Sequence, residues 1–146
     1  MNIYFACSIT GGRELEPVYQ AIVNFLLQEG HTVPTAHLAD SDVKSYEASI
    51  QPSEVYGRDT AWIRDCDVLI AEVSTPSHGV GYEVGYALGL GKPVLCVHRA
   101  GRPVSKMLTG NPDPGLRVVA YQDADEAIGI LGSFLGGIPH CEDCHD

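Results

Sequence analysis

The sequence predicts an α/β domain of three layers, a five-stranded parallel sheet in the order 2-1-3-4-5 with helices on both faces. Three observations carry that expectation. Short β-prone runs at 2–7, 31–35, 67–73, 94–97 and 116–121 alternate with helical patterns at 14–28, 54–66, 80–90 and 123–134. The third run, Asp67 to Val73 (DVLIAEV), is apolar almost throughout, as a central strand buried on both faces must be. Glycine and proline stand where helices hand back to strands, at Gly30 and at Gly91-Lys92-Pro93. This is a flavodoxin-like, Rossmann-like arrangement. Its first and third strands are neighbours where the order reverses, so the loops after Cys7 and Ser74 face one crevice at the carboxyl edge of the sheet.

The elements follow in order. The first strand ends at Ser8-Ile9-Thr10-Gly11-Gly12, a small glycine-bearing turn. Helix 14–28 sets Val18, Ile22, Phe25 and Leu26 on one stripe and stops at Gly30, a residue suited to the left-handed end of a helix. His31 to Thr35 supplies the second strand. Between Ala36 and Glu54, Asp40, Ser41, Asp42, Ser45, Ser49 and Pro52 break any firm period, which predicts a long loop with a helical turn or more, of the kind used as lids and binding loops. Helix 54–66 turns Val55, Trp62 and Ile63 inward. Thr75 to Gly79 breaks the third strand, and helix 80–90 leads to a buried strand from Val94 to Val97. Residues 99–115 are rich in proline and glycine, with a short apolar turn at Met107-Leu108. Leu116 to Tyr121 and helix 123–134 complete one domain over 1–136, and 137–146 reads as an undocked tail.

A chain of 146 residues and 15.7 kDa fits a single core. Hydrophobic residues at 45% and charged ones at 19%, with no apolar run near the roughly 18 residues of a bilayer span, exclude a membrane segment and wholesale disorder. Nine Lys+Arg against 19 Asp+Glu give a net charge of -10, which opposes a nucleic-acid polymer as partner but leaves a small anion free to bind backbone amides. The N-terminus has no basic segment followed by an apolar stretch and a small-residue cleavage site, so the cytoplasm is expected. Five cysteines are an odd number, and Cys7, Cys66 and Cys96 lie in or beside apolar runs, which argues for buried thiols rather than a disulfide scaffold.

Four motifs invite chemistry, each with a plainer alternative. Cys7 to Arg13 offers amides, a hydroxyl and a cation at a helix start, as a phosphate needs; a simple βα turn would use the same glycines to relieve backbone strain. No Gly-Lys-Ser/Thr follows, so it is not a Walker loop. Gly79-Val80-Gly81-Tyr82-Glu83-Val84-Gly85 differs from the dinucleotide fingerprint in its last interval, three residues instead of two, and follows the third strand rather than the first. Glu83 in that segment is either a site carboxylate at the crevice or an acid that complements the helix dipole. Asp59 reaches the same crevice if its helix packs over the top of the sheet and is otherwise a solvated helix acid, whereas Asp67 lies at the wrong edge. Two close carboxylates are the minimum for glycosidic chemistry. Cys141-x-x-Cys144-His145 matches a haem-attachment string, with His140 beside it, and is alternatively an adventitious metal site or an inert tail; no metal is assigned. Arg99, Arg102 and Lys106 form a small basic group, solvated or facing an anion.

Taken together, Tyr4-Phe5, Ser8-Ile9, Gly11 to Glu14, Asp59, Trp62-Ile63, the run Ala71 to Gly85 and Gly91 to Cys96 resemble the nucleoside 2-deoxyribosyltransferase superfamily, in particular its 2′-deoxynucleoside 5′-monophosphate N-hydrolases. The likeness covers about residues 2 to 135. It implies hydrolysis of the N-glycosidic bond of a deoxynucleoside monophosphate, through a covalent glycosyl-enzyme, to free base and 2-deoxyribose 5-phosphate. It further implies that Glu83 is the nucleophile on C1′, Asp59 the acid and base, and Tyr4 the residue that positions sugar and nucleophile. The phosphate cradle would be Ser8, the segment Cys7, Ile9, Thr10, Gly11, Gly12 and Arg13, and Ser77 with Gly79. His37 would lie near the nucleobase, and Ser105, next to Lys106 and Met107, would reach the phosphate across a homodimer interface. No cofactor is implied.

The chain departs from that pattern at Thr10, where the family carries Arg, and at Ala6-Cys7, where it carries Cys-Gly. The phosphate is then held either more weakly or with help from the arginines at 99–102. Three readings stay open at this point: the monophosphate N-hydrolase, including a ribonucleotide hydroxymethyl-CMP type; a 2-deoxyribosyltransferase acting on nucleosides; and a nucleotide-binding module without turnover.

Overall fold

The computed structural model describes residues 1–139, and the Cys-His segment of the tail lies outside the described residues. A parallel sheet of four strands, β1 (Ile3–Ala6), β2 (Val68–Glu72), β3 (Val94–Arg99) and β4 (Leu116–Tyr121), runs in the spatial order β1-β2-β3-β4. Tyr4 pairs with Leu69, Ala6 with Ala71, Ala71 with Cys96, and Val97 with Val119, so the carboxyl ends of the strands meet along one edge.

The expected five-strand order 2-1-3-4-5 is corrected here. The segment 31–35 lies beside β1 but makes a single bridge, Asn2 with Thr32. Thr32 N donates to Met1 O at 3.0 Å and Ile3 N to Thr32 O at 2.8 Å. A parallel ladder would next need a donor from residue 34, and Pro34 has no N–H. Phe5 N is satisfied instead by Thr35 Oγ1 at 2.9 Å, and the chain turns into a 3₁₀ turn at Ala36–Ala39.

Six helices accompany the strands among the described residues: α1 (Glu16–Gln28), α2 (Val43–Ala48), α3 (Pro52–Asp65), α4 (His78–Gly89), α5 (Lys106–Thr109) and α6 (Ala124–Gly136). The expected long loop at 36–54 therefore holds the 3₁₀ turn and α2. Because side chains alternate across a strand, the sheet has two distinct faces. Ile3, Phe5, Cys7, Ile70, Leu95, Val97 and Tyr121 pack with α1 and α6 through Tyr19, Ile22, Leu26 and Leu131. Tyr4, Ala6, Leu69, Ala71, Val94 and Cys96 pack with α3 and α4 through Ile63, Val80, Val84 and Ala87. Ile138, expected in the undocked tail, packs against the first of these layers.

Cys7, Cys66 and Cys96 are buried free thiols, as their apolar contexts predict. Lys92 joins the second layer to the sheet, donating from Nζ to Arg64 O at 2.9 Å and Cys66 O at 2.7 Å at the carboxyl end of α3. No helix among the described residues is long and apolar enough to cross a membrane.

Candidate active site

The two loops at the carboxyl ends of β1 and β2 touch. A methyl group placed on Gly11 would lie 2.8 Å from Ser8 Oγ, 2.9 Å from Pro76 O and 3.0 Å from Thr75 Cγ2, so only glycine lets the first loop close onto the second. Gly12 has φ 122°, a region that favours glycine for a second reason. Ser8 is fully buried and its Oγ accepts from Gly11 N at 3.2 Å. Thr10 is exposed and Ile9 half-buried.

The Arg13 side chain is turned to the protein's own oxygens. Its guanidinium donates to Ser8 O at 3.2 Å, Leu38 O at 2.9 Å, Asp40 O at 3.0 Å and Glu16 Oε1 at 3.2 Å. It clamps the β1 loop to the 38–40 segment, so its charge is engaged by the protein itself. Arg102 from the β3–α5 connection reaches the same loop system and pairs with Glu14.

Ser77 is the N-cap of α4, with Oγ accepting from Val80 N at 3.3 Å. The helix therefore starts at His78, two residues earlier than its sequence pattern suggests, and Glu83 falls in the second turn. That position lies beyond the unpaired N–H groups of the helix end, which removes the dipole explanation for this acid. Glu83 lies on the flank between α4 and the sheet, with Gly79 one turn before it. A methyl group on Gly79 would come within 3.6 Å of Glu83 Oε1.

Tyr4 is wholly buried on the same face of β1. Its hydroxyl and Glu83 Oε2 are both shut off from solvent, and neither finds a hydrogen-bond partner of good geometry. The phenol nonetheless lies close enough to favour the ionised carboxylate. Burial is the larger influence and pushes the Glu83 carboxyl up to about 7, with the charges of Asp59 and Glu47 adding to the rise and Arg58 opposing it. Burial also holds the Tyr4 phenol well above its usual range, helped by Glu83 and Asp59, so Tyr4 stays protonated as a donor.

Asp59 lies on α3, half-buried, beside the invariably charged Arg58, whose Nε donates to Asp59 Oδ1 at 2.8 Å. Arg58 Nη2 also donates to Glu47 Oε1 at 3.0 Å and Oε2 at 3.3 Å, and the guanidinium stacks over Trp62 at 4.9 Å from the ring centre. His37 Nε2 lies 2.9 Å from Glu47 Oε1 and its ring meets Tyr46 and Trp62 edge-on. His37, Tyr46 and Trp62, with Pro34, Asp40, Asp42 and Val43, line a recess of about 410 Å³.

Sequence reasoning missed Glu47 and Arg58. Arg58 was visible as the neighbour of Asp59, but adjacent helical residues ordinarily point apart. Glu47 sits in a segment without periodicity and carries no local signal.

A larger groove of about 700 Å³ runs along α4, lined by Ser77, Gly81, Tyr82, Ser105 and Met107 among others; Tyr4, Asp59 and Glu83 are not in its walls. Ser105 is exposed and caps the short α5, with Oγ accepting from Met107 N at 3.2 Å, and Met107 is 82% exposed. Within one chain, then, Ser105 shares a groove with Ser77 but not with Glu83. Among the described residues no group of three or more His, Cys, Asp or Glu is placed to hold a metal ion.

Two half-buried acids, one close to a phenol and the other gripped by an arginine, act on each other electrostatically. A sequence model of the nucleoside 2-deoxyribosyltransferase family matches residues 3–130. The chain belongs to this family.

Its relatives include a protein named putative 2′-deoxynucleoside 5′-phosphate N-hydrolase 1 from Methanococcoides burtonii, 46% identical over 111 residues, covering 76% of this chain and 91% of that one. The 5-hydroxymethyl-dUMP N-hydrolase of Mus musculus is 42% identical over 131 residues, covering 87% and 75% of the two chains. Among solved structures, a CMP N-glycosidase of Clostridium botulinum superposes with a TM-score of 0.68 at 19% identity, over 90% of this chain and 99% of that one, a likeness of fold. A 2-deoxyribosyltransferase of Bacillus psychrosaccharolyticus gives 0.61 at 23% identity over 88% and 90%.

Proposed function

We propose that this member of the nucleoside 2-deoxyribosyltransferase family hydrolyses 2′-deoxynucleoside 5′-monophosphates to a free base and 2-deoxyribose 5-phosphate. The observation that carries the reading is Glu83, whose Oε2 is buried without a protein partner and whose ionised carboxylate the Tyr4 phenol favours. A buried acceptor left open in this way is costly unless a ligand uses it. The names of the relatives support the same chemistry.

In the first step a Glu83 oxygen attacks C1′, the C1′–N bond breaks, and its electron pair goes to the departing base, which takes a proton from Asp59. In the second, Asp59 withdraws a proton from water, the water oxygen attacks C1′, and the Glu83–C1′ bond breaks to restore the carboxylate. Two displacements leave the configuration at C1′ retained. The protonated Tyr4 phenol favours the ionised form of Glu83 and steers it toward C1′. Arg58 occupies Asp59 Oδ1 and leaves the other oxygen to the leaving base.

The amides of Ile9 to Arg13 hold the 5′-phosphate together with Ser8, Ser77 and Gly79, while Cys7 stays beneath them as buried packing. His37 borders the nucleobase. The enzyme works as a homodimer in the cytoplasm, and Ser105 with Met107 reaches the partner's phosphate site from the groove beside α4. Neither a metal nor an organic cofactor enters this scheme.

The test is chromatography of free base after incubation with each deoxy- and ribonucleoside monophosphate, with the matching nucleosides, and with a spare acceptor base. Base release from deoxynucleoside monophosphates supports the hydrolase. Release confined to ribonucleotides, or exchange of bases between nucleosides, overturns the substrate assignment. Light scattering checks the dimer, and an active monomer defeats the shared phosphate site.

A further inference from the structure

Arg58 is adjacent to Asp59 in sequence, yet its guanidinium bends back onto that carboxylate. Neighbouring residues on a helix do not normally meet. Here the bend is held by α2 and by the next turn of α3. Glu47 on α2 takes Nη2 with both oxygens at 3.0 and 3.3 Å, and the ring of Trp62, one turn further along α3, lies beneath the guanidinium, its centre 4.9 Å from Cζ. Nε is thereby aimed at Asp59 Oδ1 at 2.8 Å, and Nη1 is buried with no protein partner. Glu47 is in turn fixed by His37 at 2.9 Å. The arrangement is a three-point clamp, and only a planar fork can satisfy it.

We infer that Arg58, anchored by Glu47, is the positioning residue of the two-acid site: it fixes Asp59 by one oxygen and brings the site its positive charge. The inference rests on the glycosidic reading given above.

A tie that merely joined α2 to α3 would act on Glu83 through its charge alone, so a lysine in its place would restore kcat together with the titration, and this separates the two roles. The groups acting on Glu83 are Tyr4 from β1, Asp59 and Arg58 from α3, and Glu47 from α2, while Cys7 at the end of β1 feels Glu83 in return. Of these, Arg58 is the cation. Removing its charge raises the proton affinity of Glu83, and removing the charge of Glu47 lowers it.

The experiment is the pH profile of base release for the wild type, Arg58→Met, Arg58→Lys and Glu47→Gln. With Arg58→Met, kcat is expected to fall roughly ten- to a hundredfold, within the range of misplaced acid–base groups. KM should stay within about threefold, and the acid limb should move up by about one pH unit. Arg58→Lys should return the limb to its place without restoring kcat, because an ammonium keeps the charge and loses the fork. Glu47→Gln should lower kcat while moving the limb down.

Restoration of kcat together with the limb in Arg58→Lys would make Arg58 a structural tie and overturn the inference, as would an unmoved limb in both charge-removing variants or unchanged kcat. The same carboxyl is to be followed by ¹³C NMR in labelled protein, with Glu83→Gln assigning its signal. If the wild type released no base at all, the reaction would be wrong. The Glu83 titration would still rise on Arg58→Met if the charge assignment holds, and a static titration would defeat it.

Discussion

Glu72 and Glu83 both hold carboxylate oxygens shut off from water near the carboxyl edge of the sheet, and they are treated in opposite ways. Glu72, at the end of β2, is fully buried on the α1/α6 side. Its Oε1 accepts from Ser74 N at 2.6 Å, its Oε2 from Ser74 Oγ at 3.0 Å and from the Tyr121 hydroxyl. Ser74 Oγ in turn accepts from Arg99 N at 2.7 Å. Burial pushes Glu72 up, and these donors pull it back. Glu83, on the α3/α4 side, has the Tyr4 phenol near one oxygen and nothing that satisfies Oε2. A buried acid surrounded by donors pins the β2 and β3 loops, and one left short of donors is reserved for something that arrives.

The sharpest way to break this contrast is Glu83→Ala. Base release should fall by more than about a thousandfold, since the covalent step has no nucleophile. Binding of a nucleoside monophosphate, measured by calorimetry, should survive within a few fold. Loss of both in a folded variant would place Glu83 alongside Glu72 as architecture.

Glu72→Ala is the mirror experiment. It strands the Ser74 amide and the Tyr121 hydroxyl in the interior, and denaturant unfolding should show a loss of about 2–4 kcal/mol. The folded fraction should keep kcat within about threefold. A thousandfold loss of kcat without loss of stability would reverse the assignment.

The comparison also sets a sign for stability. The folded carboxyl of Glu83 lies at about 7, above the 4.5 of the free group, so the folded state holds its proton more tightly than the unfolded chain. The native state therefore loses stability as pH rises from about 4.5 to 7, by at most about 3 kcal/mol from this group. Glu83→Gln should remove that loss: it should raise the unfolding free energy at pH ~8 by about 1–3 kcal/mol, and alter it little at pH ~4. An equal gain at both values would trace the effect to packing instead. Activity of the wild type should fall as pH drops through about 7, as Glu83 takes up its proton.

Much of this contrast could be read in the residues themselves, and part of it could not. The apolar run ending in Glu72 announces a buried central strand, and the period of 80–90 announces a helix, so β2 and α4 appear nearly where expected. The second strand fails for a reason also written in the sequence: Pro34 cannot donate to the ladder, and proximity to β1 then yields a bridge rather than a strand. Glu83, Asp59 and Tyr4 come together because Tyr4 lies on the face of the sheet that α3 and α4 cover, a packing the sequence left conditional. Arg13, by contrast, is drawn into carbonyls at 38 and 40, a contact across the chain that no local pattern encodes. Glu47 and the Tyr121 hydroxyl are invisible for the same reason, each acting on a residue at least eleven positions away.

The smallest expected effects separate the two acids through their tyrosines. Tyr121→Phe deletes a hydroxyl that donates to Glu72, so it should cost about 1 kcal/mol of stability and leave kcat unchanged. Tyr4→Phe deletes a hydroxyl that is buried without a good hydrogen bond, so stability should move by less than about 0.5 kcal/mol. The same change removes the phenol that favours ionised Glu83, and the acid limb of the rate profile should shift upward with a loss of kcat of roughly tenfold. Thermal unfolding and a pH profile on the two variants decide it: a stability loss at Tyr4 with an unmoved limb would mean that this phenol serves the fold, as Tyr121 does, and that the open oxygen of Glu83 faces something else.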